Sequence, residues 1–159
     1  MSPKEDAMAG PLTVIVADDD EDIRECIAAL LRDEGLDVRV AQHGRAALDL
    51  LDELGDQRCV LLLDLMMPVM SGHELLALLS RTGRIPALPV IVCSASKDRD
   101  AIPPGARHSI RKPIDLDHLL RLIAETRAAR ASEVRLRFES DSGVAALLPG
   151  RAGLARDGV

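Results

Sequence analysis

The chain contains no tryptophan and no tyrosine, and its single phenylalanine is Phe138. A surface that grips nucleic acid by stacking bases on aromatic rings therefore has nothing to build with. A net charge of −6 argues further against a broad phosphate-backbone-binding face. No apolar run approaches the roughly 20 residues of a helical membrane span. The first ten residues lack the charged-then-apolar pattern of a secretory signal. Cysteine is scarce: Cys26, Cys59 and Cys93 are an odd number, and all three lie in apolar stretches. That pattern reads as buried, reduced thiols in a cytoplasmic protein, not as a disulfide framework or a metal site. What remains is a chain of 159 residues, 47% apolar and 29% charged. This is enough for one packed domain with a wet surface.

Residues 1–10 are polar or small and read as a flexible arm. From Leu12 the run Leu-Thr-Val-Ile-Val-Ala ends abruptly at Asp18, Asp19 and Asp20. A short apolar run of this kind suits a strand buried on both faces of a parallel sheet. A helical pattern follows, with Ile23, Cys26, Ile27, Leu30 and Leu31 on one stripe and Gly35 as its stop. Leu36, Val38 and Val40 alternate with polar residues, predicting a half-exposed strand. A second helix carries Ala47, Leu48, Leu51 and Leu54. Cys59-Val-Leu-Leu-Leu63 predicts another buried strand, stopped at Asp64, before a loop with Pro68 and Gly72 and a third helix through Leu75–Leu79. Pro89-Val-Ile-Val-Cys93 predicts a fourth strand ending at Ser94, and His108–Arg111 a weaker fifth ending at Lys112-Pro113. A last helix starts near Asp115, its expected cap, and runs to about Arg130.

Strands alternating with helices imply an α/β fold, a parallel sheet covered on both faces. In such sheets ligands bind beyond the carboxyl ends of the strands. The residues at those ends are Asp18, Asp19, Asp64, Ser94 and Lys112, all polar after almost wholly apolar strands. Taken singly, each has an ordinary use as a cap, a turn or a surface charge. Their joint placement points to chemistry. Three converging carboxylates repel one another, and a hard cation such as Mg²⁺ relieves them while leaving coordination open for a phosphate. A lysine and a hydroxyl on the same face can neutralise and hydrogen-bond a transferred phosphoryl group, and a central Asp64 could be the nucleophile.

The same residues carry a family resemblance. Val14-Ile-Val-Ala-Asp-Asp-Asp-Glu-Asp-Ile-Arg24 resembles the start of a response-regulator receiver domain of two-component signalling. Asp64-Leu-Met-Met-Pro-Val-Met-Ser-Gly72 is similar to that family's D-x-x-M-P-x-x-x-G loop, Pro89–Ala95 to its switch strand, and Lys112-Pro113 to its lysine–proline pair. The resemblance covers roughly residues 11–128. It implies a five-stranded, doubly wound, flavodoxin-like sheet of order 2-1-3-4-5. It also implies phosphorylation at Asp64 by a sensor histidine kinase or a histidine phosphotransfer protein. Mg²⁺ would be held by Asp18, Asp19, Asp64 and the backbone carbonyl of Met66, with Asp19 the direct ligand and Asp18 acting through water. Ser94 would bind a phosphoryl oxygen and Lys112 would form the ion pair. The Lys112–Pro113 peptide is expected to be cis.

The sequence departs from the family at two places. Only 18 residues separate Ser94 from Lys112, and Pro103-Pro104 opposes any helix through them. The family's fourth helix, between strands four and five, is therefore expected to be about one turn or absent. The aromatic switch position, three residues before the lysine, is Ser109, so no ring can swing inward there. Met66, two past the acceptor, and Ser96, two past Ser94, flank the path of an attacking water. Because Met66 offers nothing to orient that water, a long-lived phosphoryl group is expected.

The expected organisation is an arm at 1–10, a receiver domain at 11–130 and a tail at 131–159. The tail is largely disordered or a docking peptide, with a short strand conceivable at Val134–Phe138. The resulting expectation is a stand-alone, cytoplasmic, single-domain response regulator with an unidentified downstream protein, no nucleic acid and no membrane. It assists its own phosphorylation but is not a metabolic enzyme. The alternative is a phosphorylation-independent receiver-fold module with a constitutive binding surface. A haloacid-dehalogenase-type phosphatase is disfavoured, because Asp64-Leu-Met lacks the second Asp of D-x-D.

Overall fold

The computed structural model of the protein describes residues 11–85, 87–95 and 102–129. The expectations for the N-terminal arm, Ser96 and the tail from 131 onward lie outside the described residues. Five parallel strands, β1 (Thr13–Ala17), β2 (Asp37–Ala41), β3 (Cys59–Asp64), β4 (Val90–Ser94) and β5 (His108–Arg111), form one sheet of order β2-β1-β3-β4-β5. Helices α1 (Glu21–Asp33), α2 (Gly44–Leu54) and α3 (Gly72–Arg81) alternate with them, and α4 covers residues 116–129. By compactness the chain divides into units 1–123 and 124–159. The described part of the second unit, 124–129, is helical.

Successive side chains of a strand point to opposite faces, so each apolar strand feeds two cores at once. Ile15, Leu61, Leu63, Val90 and Val92 pack with Leu48 and Leu51 of α2 and Leu75 and Leu79 of α3. Val14, Val16, Val60, Leu62 and Ile91 pack with Ile27, Ala28 and Leu31 of α1 and Leu119 of α4. That is why Val14–Ala17 and Cys59–Leu63 read as unbroken apolar runs: every residue of β1 and β3 is buried. Fully burying one such Leu or Ile contributes about 1.5–3 kcal/mol. β2 sits at the sheet edge and shows the expected alternation, with Val38 buried and Arg39 exposed.

Each helix starts on a side chain that accepts an otherwise orphaned backbone N–H. Asp20 Oδ1 accepts from Ile23 at 3.2 Å, and His43 Nδ1 accepts from Ala46 at 3.0 Å. Ser71 and Glu74 form a reciprocal capping box, with bonds of 3.1 and 3.0 Å. Asp115 Oδ1 accepts from His118 at 2.9 Å, the cap expected there.

No helix lies between β4 and β5 among the described residues; the described part of that connection, 102–107, is a turn at Pro104-Gly105 with flanking coil. The sequence reading of α1 needs two corrections. Cys26 is exposed, unlike the buried Cys59 and Cys93, and Leu30 is also exposed. The helix buries the narrower stripe Ile27, Ala28 and Leu31. Cys26 and Leu30 instead line an open groove of about 490 Å³ shared with Pro113, Ile114 and Leu116. Periodicity finds an apolar stripe but not how far the helix is rotated toward the sheet.

Candidate functional site

Four strand ends build the site. At the end of β1, the Asp18 N–H donates to the Ala41 carbonyl of β2 at 3.1 Å. Beyond that residue the chain leaves the sheet in a turn. Asp18 Oδ1 accepts from the Asp20 N–H at 2.9 Å, and Asp20 caps α1. Of the three consecutive aspartates, the third does the capping, which frees the first two for the site. Asp18 is buried and Asp19 exposed. The Asp18 carbonyl accepts from Arg24 Nη1 at 3.0 Å, a contact that sequence reasoning did not single out. Its one sequence signal is an arginine six residues past the strand-end acid.

At the end of β3, Asp64 is buried and its Oδ1 accepts from the Met66 N–H at 3.2 Å. The loop that follows is bent tightly over the site. Met70 N–H donates to the Pro68 carbonyl at 2.7 Å across Val69, whose φ is +65°. That is a three-residue turn in a region that β-branched residues avoid. The loop closes where the Gly72 N–H donates to the Leu65 carbonyl at 3.0 Å. A Cβ on Gly72 would stand 2.4 Å from the Asp64 carbonyl oxygen, so only glycine allows this approach. Gly44, at the start of α2, plays the same part on the other side, donating to the Met70 carbonyl at 2.9 Å.

The third contribution comes from β4 and β5. Ser94 ends β4, half-buried, and the Lys112 N–H donates to its carbonyl at 3.0 Å. The Lys112–Pro113 peptide is cis. Lys112 Nζ lies 2.6 Å from Asp18 Oδ2 and 3.5 Å from Asp64 Oδ2. The structure thus brings Asp18, Asp19, Asp64 and Lys112 together, with Ser94 joined to them through the backbone of Lys112. Ser109 stands apart on β5, half-buried and paired with Val92.

Asp18, Asp19 and Asp64 each offer a carboxylate oxygen within 4.8 Å of the others. Burial pushes the Asp64 carboxyl up to about 6; the Met66 N–H and the Lys112 charge pull it down, and the Asp18 and Asp19 carboxyls add to the rise. Burial alone would lower the Lys112 ammonium, but its bond to Asp18 and the charges of Asp64 and Asp18 outweigh that and hold it above its ordinary value. Burial also pushes up the Cys93 thiol, so this cysteine beside the site stays protonated. A hard divalent cation fits such a place: the donors are carboxylate oxygens, they converge, and a buried one among them is poorly solvated as an anion. The acidic pocket is compatible with Mg²⁺.

The family model for the response regulator receiver domain matches residues 14–124. The response regulator MprA of Mycolicibacterium vanbaalenii is 36% identical over 114 residues, which are 69% of this chain and 48% of that protein. This chain therefore spans about half the length of that relative. A 14.6 kDa protein of Leptolyngbya boryana is 33% identical over 118 residues, covering 72% of this chain and 88% of that one. Among solved structures, the receiver domain of the Francisella response regulator 1452 superposes with a TM-score of 0.63 at 31% identity, over 76% of this chain and 98% of that domain. Among the described residues no helix is long and apolar enough to cross a membrane. Strand order, acidic strand ends and these matches agree: the chain belongs to the response-regulator receiver family, the phosphoryl-accepting signalling modules of two-component systems.

Proposed function

We propose that Asp64 of this chain accepts a phosphoryl group from a histidine kinase or a histidine phosphotransfer protein, and that the modified protein signals through protein–protein contacts. The observation that carries this reading is the convergence of three carboxylates within 4.8 Å, with Lys112 Nζ 2.6 Å from Asp18 and 3.5 Å from Asp64. A purely structural sheet edge would have no use for that concentration of charge.

In the proposed reaction an Asp64 oxygen attacks phosphorus, the P–N bond of the phosphohistidine breaks as the P–O bond forms, and the imidazole leaves with the electron pair and takes up a proton. Mg²⁺, held by Asp19, Asp64 and the Met66 carbonyl with Asp18 acting through water, would neutralise charge on the phosphoryl oxygens. Lys112 would move its ammonium onto the phosphoryl group from a position already beside Asp64. The Ser94 hydroxyl would donate to a phosphoryl oxygen. Because the exposed Met66 side chain offers no group that orients water, the acyl phosphate is long-lived. A Met66→Asn change shortens its lifetime.

The test is incubation with Mg²⁺ and acetyl phosphate, followed by intact mass under mild conditions. An adduct of one phosphoryl group that vanishes in Asp64→Asn and without Mg²⁺ is the expected result. No adduct from acetyl phosphate or from any histidine-kinase donor would leave a constitutive binding module as the better account.

A further inference from the structure

We propose that Arg24 is a positioning residue for the acidic turn, holding Asp18 and Asp19 in the arrangement that lets them close with Asp64 on a divalent cation. The inference rests on the reading of Asp18, Asp19 and Asp64 as the cation site of a phosphoacceptor.

The Arg24 side chain is only 12% exposed, although guanidinium groups are seldom buried without partners. Its ion pair with Glu25 is long, 3.8 Å, and Glu25 is half-exposed, so that contact does not account for the burial. The contact that does is Nη1 to the Asp18 carbonyl at 3.0 Å. That carbonyl lies just past the last β1–β2 pair, Ala17↔Ala41. Asp18 is buried, and a buried carbonyl needs a partner. Arg24 supplies it from the first turn of α1, whose own N–H is bonded to the Asp20 carbonyl at 2.9 Å.

Asp18 is thus held at four atoms: N–H on Ala41, carbonyl on Arg24, Oδ1 on Asp20 and Oδ2 on Lys112. Asp19 is exposed and takes its place from a backbone clamped on both sides by Asp18 and Asp20. Removing the guanidinium has two opposite effects on a cation. It deletes a nearby positive charge, which by itself tightens binding; it also releases the turn, which weakens binding. Positioning and simple electrostatics therefore predict opposite signs.

The experiment is a Mg²⁺ titration of the full chain by calorimetry, with circular dichroism and melting to check the fold. Arg24→Ala should bind Mg²⁺ about tenfold more weakly, the order expected for losing one hydrogen bond from a charged donor. Arg24→Lys, which keeps the charge and a donor, should recover most of that loss. In acetyl phosphate labelling, Arg24→Ala should need more Mg²⁺ to half-saturate yet reach the parent rate at saturation. Unchanged or tighter Mg²⁺ binding in a folded Arg24→Ala overturns the proposal, as does a plateau rate that stays low at saturating Mg²⁺, or a parent protein that binds no Mg²⁺. If Arg24→Ala does not fold, Arg24→Gln, uncharged and shorter, is read the same way. The titration needs no phosphorylation. A parent protein that binds Mg²⁺ but is never labelled would defeat the phosphoacceptor reading and still decide the role of Arg24.

Discussion

The two halves of the sheet's carboxyl edge are built to different standards. At β1 and β3 every strand residue is buried, the strands are in register from Thr13↔Cys59 to Ala17↔Leu63, and the loops are tied down by Asp20, Gly72 and Gly44. At β4 four of five residues are buried, but β5 is four residues long with one of them buried, and no helix lies between the two among the described residues. Yet both halves deliver side chains to the same point. Ser94 is paired with Arg111 and the Lys112 N–H donates to the Ser94 carbonyl, with no helix between β4 and β5 among the described residues. The comparison teaches that the reacting face is assembled from strand ends, with no helix between β4 and β5 among the described residues.

The sharpest way to test the contrast is to change one residue in each half. Asp64→Asn should abolish acetyl phosphate labelling outright, whereas Ser109→Ala should leave it unchanged in an intact-mass assay. A Ser109→Ala protein that cannot be labelled would break the comparison. Next in size is Gly72→Ala. Its Cβ would meet the Asp64 carbonyl at 2.4 Å, and the forced backbone shift should destabilise the fold by about 1–3 kcal/mol in urea unfolding and slow labelling.

Asp64 also predicts a pH dependence. Its carboxyl stands near 6 in the folded protein against an ordinary 3.8, so between those values the folded state holds the proton that the unfolded chain has released. This contribution to stability is complete below pH 3.8 and is lost as pH rises through about 6. Asp64→Asn should therefore be more stable than the parent at neutral pH by about 1–2 kcal/mol, with the gain disappearing in acid. Urea midpoints at several pH values would show it, and a gain that persists below pH 4 would refute it. For the same reason Mg²⁺ binding should weaken as pH falls through 6.

Smaller effects separate the strain in the β3 loop from the caps elsewhere. Val69→Asn relieves a left-handed, β-branched residue at φ +65° and should stabilise the protein by about 1 kcal/mol. His43→Ala removes the acceptor for the Ala46 N–H and should cost about 1 kcal/mol, with His43→Asn restoring it. Ser109→Ala should shift stability by no more than about 0.5 kcal/mol.

The strands, their order and the polar residues at their ends were legible in the chain because period and burial are coupled. A strand covered on both faces must be apolar throughout, and any polar residue at its end then stands out. Asp18, Asp19 and Asp64 stand out in that way, Lys112 follows the weaker β5 and pairs with a proline, and the structure places all four together. A short interval and two prolines predicted a reduced or absent helix between β4 and β5, and among the described residues no helix lies there.

Other features have no such signature. Cys26 lies on an apolar stripe and is nevertheless exposed, because the rotation of α1 is set by what the sheet has room for. His43 as a cap and Arg24 on the Asp18 carbonyl are contacts between a side chain and a backbone atom whose position exists only after the chain has folded. Local chemistry and periodicity thus determined which residues gather at the edge of this sheet. Only the tertiary structure decided that the third aspartate, Asp20, caps α1 and that Arg24 donates to the Asp18 carbonyl, because those contacts are matters of a few ångströms and depend on how α1 leaves β1.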